Sequence, residues 1–342
     1  MNFCIIEAFS RKRSLKMKNL KKILSALSAV LLLSLSLSVL SCASAPSSDG
    51  SAVSARKAKA VLTKNPERMF WTISGTDSKG NPSHVHILGT IHAADERVFP
   101  LGDKVIEAFT TADRLVAEIS LDDIQMNLMA SVMDAMREDV LPEGKDILSD
   151  LSESQRSMLG GILGDQLGTL SRFKPWVSTT SCQNAYLGGI GFDARYGVDM
   201  SIYGYAVENG KKVEGLDTLE TQLGILRYGD YGTQLQILKD LLDDLANPTE
   251  VHSMMMSLYE AYLKDDVAAV GKICLDNMKA DEKRSAIYKD YDRMLYNDRN
   301  KAWAEKITDY LDKGGETFIF AGCAHFTAGE TVFHYLKKLG TL

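Results

Sequence analysis

Cysteine, proline and histidine are scarce in this chain: its 342 residues include 5 Cys, 7 Pro and 6 His. No two cysteines stand in a C-x-x-C spacing, so neither a zinc knuckle nor a dithiol redox motif is present. H-E-x-x-H is missing, as is any Ser/His/Asp signature, so the usual sequence marks of a zinc protease or serine hydrolase are absent. No solenoid period recurs along the chain. Positive charge is not in excess either: 39 Lys and Arg against 45 Asp and Glu give a formal charge of −6. That balance argues against a nucleic-acid partner.

Hydrophobic residues are concentrated near the N-terminus. Seven Lys and Arg between Arg11 and Lys22 precede the apolar run Ile23 to Leu40, which ends at VLSC and the polar stretch ASAPSSDGS. The order of basic, apolar, small-residue–Cys and polar segments resembles a bacterial lipoprotein signal. It predicts a signal peptide over 1–41, an acylated Cys42, a tether over 42–60 and one domain over 61–342. An uncleaved signal anchor is the alternative, because 18 apolar residues could just span a bilayer. Met17 offers a second start, with MKNLKK as the more ordinary basic region. Beyond position 41 there remain 32 basic and 44 acidic residues, a formal charge of −12. Besides Cys42, that part holds Cys182, Cys274 and Cys323, an odd number that reads as buried or free thiols.

The periodicity that follows predicts an α+β fold. RMFWTIS and SHVHILG read as a hairpin around GTDSKGNP, LGDKVIEAFTTAD as a helix with Val105, Ile106 and Phe109 inward, and RLVAEIS as a buried strand. Residues 124–176 read as mostly helical, interrupted by LPEG and GGILGDQLG. VDMSIYGYAVENG reads as a helix capped by Gly210, KKVEGL as a strand, 219–246 and 283–313 as long helices, and TFIFAG as a strand. Strands thus cluster at both ends of the domain. This predicts a mixed β-sheet built from the N- and C-terminal halves, with a large helical insertion as a cap.

Two segments share one plan. GTIH at 89–92 and GCAH at 322–325 each close an apolar run with Gly, two residues, then His, before a helical pattern. Their histidines could therefore meet at the same edge of one sheet, where strand ends usually carry sites. Gly89 and Gly322 would permit tight strand exits and close backbone approach. A lone histidine of this kind most often only hydrogen-bonds in a turn; the duplication favours a site.

Together with VAEIS at 116–120, KPW at 174–176, GVD at 197–199, GKKVEGLDTLETQ at 210–222 and DRNKAWAEKI at 298–307, these motifs occur in the order seen in the TraB/PrgY/GumN family. The chain resembles that family from about Phe70 to Leu342. The family includes the Tiki-type metalloproteases and a peptide-pheromone inhibitor. The resemblance implies a metal-dependent hydrolytic site at His92, His325 and Glu118. Two imidazoles and a carboxylate suit a divalent metal with an open position for water, and Glu118 would be either the third ligand or the general base. Ser120 and Asp217 stand where many relatives carry Asp/Glu and Glu, respectively.

Other polar and aromatic residues carry weaker signals. Arg299 in DRNKAW could stabilise an oxyanion or a substrate carboxylate, although a helix arginine is more often solvated. Asp199 could cap a helix or orient a ligand histidine. Trp176 and Trp303 read as core aromatics. His84 and His86 share a strand face with no third ligand evident, His252 and His334 read as ordinary helical residues, and SMMMSLY as core packing. Two functions follow: a membrane-anchored metal-dependent hydrolase, possibly a peptidase, or a non-catalytic lipoprotein that captures a peptide or metal in the same cleft.

Overall fold

The computed structural model describes residues 59–342. The signal segment, Cys42 and nearly all of the expected tether lie outside the described residues. Six strands form one sheet in the order β1-β2-β3-β6-β4-β5: β1 Val61–Lys64, β2 Phe70–Thr76, β3 Pro82–Thr90, β4 Arg114–Ala117, β5 Val213–Gly215 and β6 Gly315–Gly322. β1, β2 and β3 are antiparallel, whereas β3, β6, β4 and β5 run parallel. The sheet is therefore mixed and joins the two ends of the domain, as the strand distribution predicts.

The hairpin closes at Asp77, whose carboxylate accepts from the backbone N–H groups of Lys79 and Asn81. β6 inserts between β3 and β4 as a continuous apolar run, buried on both faces as a central parallel strand must be. Phe318, Ile319 and Phe320 are among the most buried side chains. β1 was not evident from the pattern: it is an exposed edge strand of four residues paired only to β2.

Helices connect and cover the sheet: α1 Asp103–Thr111, α2 Leu128–Glu138, α3 Glu153–Leu163, α4 Pro175–Gly189, α5 Val198–Glu208, α6 Leu219–Leu226, α7 Tyr231–Leu245, α8 Pro248–Leu263, α9 Val267–Arg284, α10 Ile287–Asp292, α11 Arg299–Lys313 and α12 Val332–Lys338. α1 buries Val105 and Phe109. α5 ends at Gly210, which adopts φ +62°, and the Lys211 N–H returns to the Ala206 carbonyl in the expected glycine cap. Both long helices expected from the pattern are broken. The first stops at Leu226 and restarts at Tyr231, because Gly229 takes φ +76° and Asp230 caps the new N-terminus. The second begins only at Ile287 and passes through a π-helical stretch, Arg293–Asp298, before α11. Gly160 and Gly161 do not interrupt α3; the break comes at Gly164.

One apolar core unites the sheet with the helices around it, and a smaller cluster joins α3, α4 and α7 through Leu159, Cys182, Leu238 and Leu242. α8 and α9 lie over the carboxyl ends of the parallel strands, where Met254, Leu258 and Tyr262 face Cys274 and Met278 across a cavity. No helix among the described residues is long and apolar enough to cross a membrane.

Gly89 is where β3 crosses closest to the chain leaving β6. A Cβ there would stand 3.0 Å from Cys323 Cβ, 3.1 Å from Cys323 Cα and 3.3 Å from Met69 Cβ. Gly89→Ala should therefore destabilise the domain by ~1–3 kcal/mol through overpacking. A lowered midpoint in denaturant unfolding is the expected result, and an unchanged midpoint would contradict the tight crossing.

Candidate functional site

Four parallel strands end at the same edge, and each delivers a polar residue just past its end. His92 follows β3 by two residues, Glu118 follows β4 directly, Asp217 follows β5 by two, and His325 follows β6 by three. Backbone bonds fix these exits: Cys323 N–H donates to the Thr90 carbonyl, Leu216 N–H to that of Ala117 and Asp217 N–H to that of Glu118. His92 and Glu118 are nearly inaccessible and His325 is fully buried.

Gly322 is the floor on which these residues meet. A Cβ there would stand 3.2 Å from Glu118 Oε1 and 3.4 Å from His92 Nε2, so any side chain would fill the space they share. The Gly322 N–H itself donates to Glu118 Oε1 at 2.8 Å.

Arg299 lies at the centre. It is the first residue of α11, set by the π-helical stretch before it; such stretches often occur at functional sites. Nη2 donates to Glu118 Oε2 at 2.5 Å, Nε to Asp217 Oδ2 at 2.8 Å, and Nη1 to the Leu295 carbonyl at 3.0 Å. Nη1 also stands 3.1 Å from His325 Nε2. Behind it, Trp303 stacks on the guanidinium at 4.7 Å and donates its indole N–H to Asp217 Oδ1. Gln222 donates to Asp217 Oδ2 at 2.8 Å and reaches Glu118 Oε2 at 3.4 Å.

The two histidines differ in their surroundings. His325 Nδ1 is 2.6 Å from Asn300 Oδ1. An amide oxygen only accepts, so Nδ1 carries the proton and Nε2 offers its lone pair to Arg299. Burial, and then the positive guanidinium, push the pKa of His325 well below the ordinary histidine value. At His92 burial also opposes charge, but the Asp199 carboxylate, with Glu118 across the ring, outweighs it and raises the pKa. Asp199 Oδ2 is 3.2 Å from His92 Nδ1, yet neither atom makes an aligned hydrogen bond, so attraction between charges dominates this pair. Asp199 reaches that position because Val198 N–H bonds the Ile91 carbonyl, and because Gly197 passes where a Cβ would lie 2.5 Å from the His92 carbonyl. No side-chain cap bond is made at the start of α5, and Asp199 instead faces the His92 ring.

Burial would raise the pKa of Glu118, but Arg299, His92 and His325 together lower it to about 2. A carboxylate so acidic is a weak base and a persistent anion.

The fit of a metal can be judged from these donors. By chemical type His92, His325 and Glu118 suit a divalent cation. By geometry they do not: His325 Nε2 and Glu118 Oε2 both face the guanidinium, leaving His92 Nε2 and Glu118 Oε1, 3.7 Å apart, beside Gly322. Among the described residues no three His, Cys, Asp or Glu stand in an arrangement that could hold a metal ion.

Asn300 and Gln222 were not singled out by the sequence; they act through others, as Asp217 does. A signal for Trp303 beside Arg299 lay in DRNKAW itself, since positions 299 and 303 share a helix face. Trp303 is a core aromatic, but one whose ring also packs 4.2 Å from that of His325. His84 and His86 do have a neighbour of the third-ligand type: Glu316 on β6, at 2.7 and 2.9 Å, which bridges the two rings on a half-exposed face. His252 and His334 sit on helices away from the site, and Met254 lines the cavity while Met255 is core.

A mixed sheet whose parallel strands deliver paired histidines and a carboxylate to a buried arginine defines the class. Residues 69–341 match the TraB/PrgY/gumN family. An uncharacterized protein of Treponema pallidum (strain Nichols) is 30% identical over 287 residues, covering 83% of this chain and 84% of its own length. The uncharacterized protein YbaP of Escherichia coli (strain K12) is 24% identical over 228 residues, covering 66% of this chain and 77% of its own. No solved structure matches. The chain belongs to the TraB/PrgY/gumN family.

The folded Glu118 has a pKa below its ordinary value of 4.5, so the unfolded chain binds more protons in that interval. Its contribution to stability is thus present above about pH 4.5 and is lost as pH falls toward about 2. Glu118→Gln should destabilise the domain at pH 7 by ~3 kcal/mol or more, because Arg299 is left with an uncompensated share of buried charge. The difference in denaturant midpoint from wild type should narrow as the pH is lowered through this window; a constant difference would refute the assignment.

Proposed function

We propose that the chain is a hydrolase of amide bonds in peptides or proteins, held at the outer face of a membrane by lipid on Cys42. The observation that carries the reading is the convergence of His92, Glu118, His325 and Arg299 on the space beside Gly322, next to an apolar cavity under α8 and α9. That cavity measures about 50 Å³, room for a few waters but far below the ~300 Å³ or more of an ordinary ligand pocket. Substrate therefore enters only when the cap helices part.

In this reading His92 accepts the proton of an attacking water at Nε2 and returns it to the leaving amine nitrogen as the C–N bond breaks, while Asp199 balances the ring's charge from the Nδ1 side. Arg299, drawn off His325 by substrate, faces the developing oxyanion. Glu118 stays ionised and holds Arg299 and the Gly322 backbone in place. The metal-dependent form of the proposal, with His92, His325 and Glu118 as ligands, requires Arg299 to withdraw first. A second reading, capture of a peptide or metal without catalysis, is favoured by the engagement of all three Arg299 nitrogens in the closed site.

The test is hydrolysis of a peptide library by the soluble domain, with metal content measured on the same sample. His92→Ala should lower the rate by ~10²-fold or more, the range for loss of an acid–base group, and His325→Ala, which removes a partner of Arg299, should lower it as well, while circular dichroism shows an intact fold. If wild type cleaves nothing, or both variants keep full activity, the binding reading replaces the hydrolase. For the anchor, Cys42→Ser should move the protein from the detergent phase to the aqueous phase. An unmodified Cys42 inside an intact apolar segment, seen by mass spectrometry of the native N-terminus, would overturn that part.

A further inference from the structure

Two of the three groups expected to bind a metal, His325 and Glu118, are already bound to a cation, and it belongs to the protein. We propose that Arg299 is the resident cation of this site and that its guanidinium and a divalent metal compete for the same lone pairs, those of His325 Nε2 and Glu118 Oε2. The inference deepens the metal-dependent form of the function proposed above and rests on it for the identity of the competing ligand.

Three observations carry it. The guanidinium makes directed contacts on all three nitrogens, to Glu118, Asp217, Leu295 and His325, while 4% exposed. His325 has no freedom to turn its other nitrogen inward, because Nδ1 is held by Asn300 Oδ1 and Asn300 is held in turn by the Glu330 carbonyl. The lone pair a metal would use is therefore the one Arg299 now occupies. Finally, Arg299 already places a buried positive charge between two carboxylates, Glu118 and Asp217, and a dication set beside it in this space would meet strong repulsion from the guanidinium.

Competition has a direction that distinguishes it from a helper role. If Arg299 assisted a bound metal, removing it would leave metal affinity unchanged or weaken it. If it competes, removing it frees two donors and affinity rises. The anchors of Arg299 act the same way at one remove: Asp217 and Trp303 hold the guanidinium in place, so loosening them should also favour the metal.

The experiment is titration of the purified domain with Co²⁺, followed by calorimetry and by the visible absorption of the bound ion. Arg299→Met should bind Co²⁺ at least tenfold more tightly than wild type, with an absorption that reports imidazole coordination. Adding His325→Ala to Arg299→Met should abolish the gain, which locates it at this site. Asp217→Asn, which keeps the guanidinium but weakens its anchor, should give a smaller gain and serves if Arg299→Met does not fold. The proposal is overturned if the folded variant of either kind binds Co²⁺ no more tightly than wild type, or if the gain survives loss of His325. Failure of the hydrolase reading is separate: tighter metal binding without peptide cleavage leaves the competition standing, and cleavage without any gain in metal binding leaves the hydrolase standing.

Discussion

The ion cluster around Arg299 is the constraint on which the rest of this structure depends. A guanidinium buried to this degree is tolerable only with ionised partners at hydrogen-bond distance, and here they come from Glu118 after β4 and Asp217 after β5. Those partners are delivered only if β4, β5 and β6 run parallel in one register, with Asp217 N–H bonded to the Glu118 carbonyl and Gly322 N–H to its carboxylate. Slippage of any of these strands by one residue would turn its polar terminus away and leave a buried charge alone. The cluster therefore disfavours alternative registers as much as it favours this one.

Much of this was legible in the sequence, because the strongest signals were local. Apolar runs closed by glycine marked β3 and β6, and their repetition placed His92 and His325 at one edge. Glu118, implied by the family resemblance, follows a short buried strand directly. What was not legible depended on contacts between distant segments. β1 has no apolar face to announce it, being exposed along most of its length. Gln222 is an unremarkable polar residue until Asp217, set beside Arg299 past the end of β5, accepts its hydrogen bond. Glu316 becomes the neighbour of His84 and His86 only through the register of β3 on β6. Helix breaks at Gly229 and over 293–298 were also hidden, since apolar periodicity continues across both.

Glycine sets how closely these segments approach. Gly89, Gly197 and Gly322 each lie where a Cβ would press on the other motif's backbone or on a site side chain. Gly271 on α9 does the same for the cap, where a Cβ would collide with the Thr327 carbonyl just past His325. The cap helix therefore rests directly on the chain carrying one of the two histidines, and movement of one is felt by the other.

The duplicated motif gives its two histidines the same location but not the same chemistry. Both follow parallel strands, both are buried, and both lie near Glu118. Their difference comes from what the flanking helices bring. α5 sets a carboxylate, Asp199, against His92, and so favours charge on that ring. α11 sets Arg299 and Asn300 against His325, so that ring is held neutral in a single tautomer. A pair of like residues whose environments drive them in opposite directions is the arrangement that separates proton-accepting from fixed roles. The strand repeat thus supplies position, and the unrelated helices that follow it supply the asymmetry between the two rings.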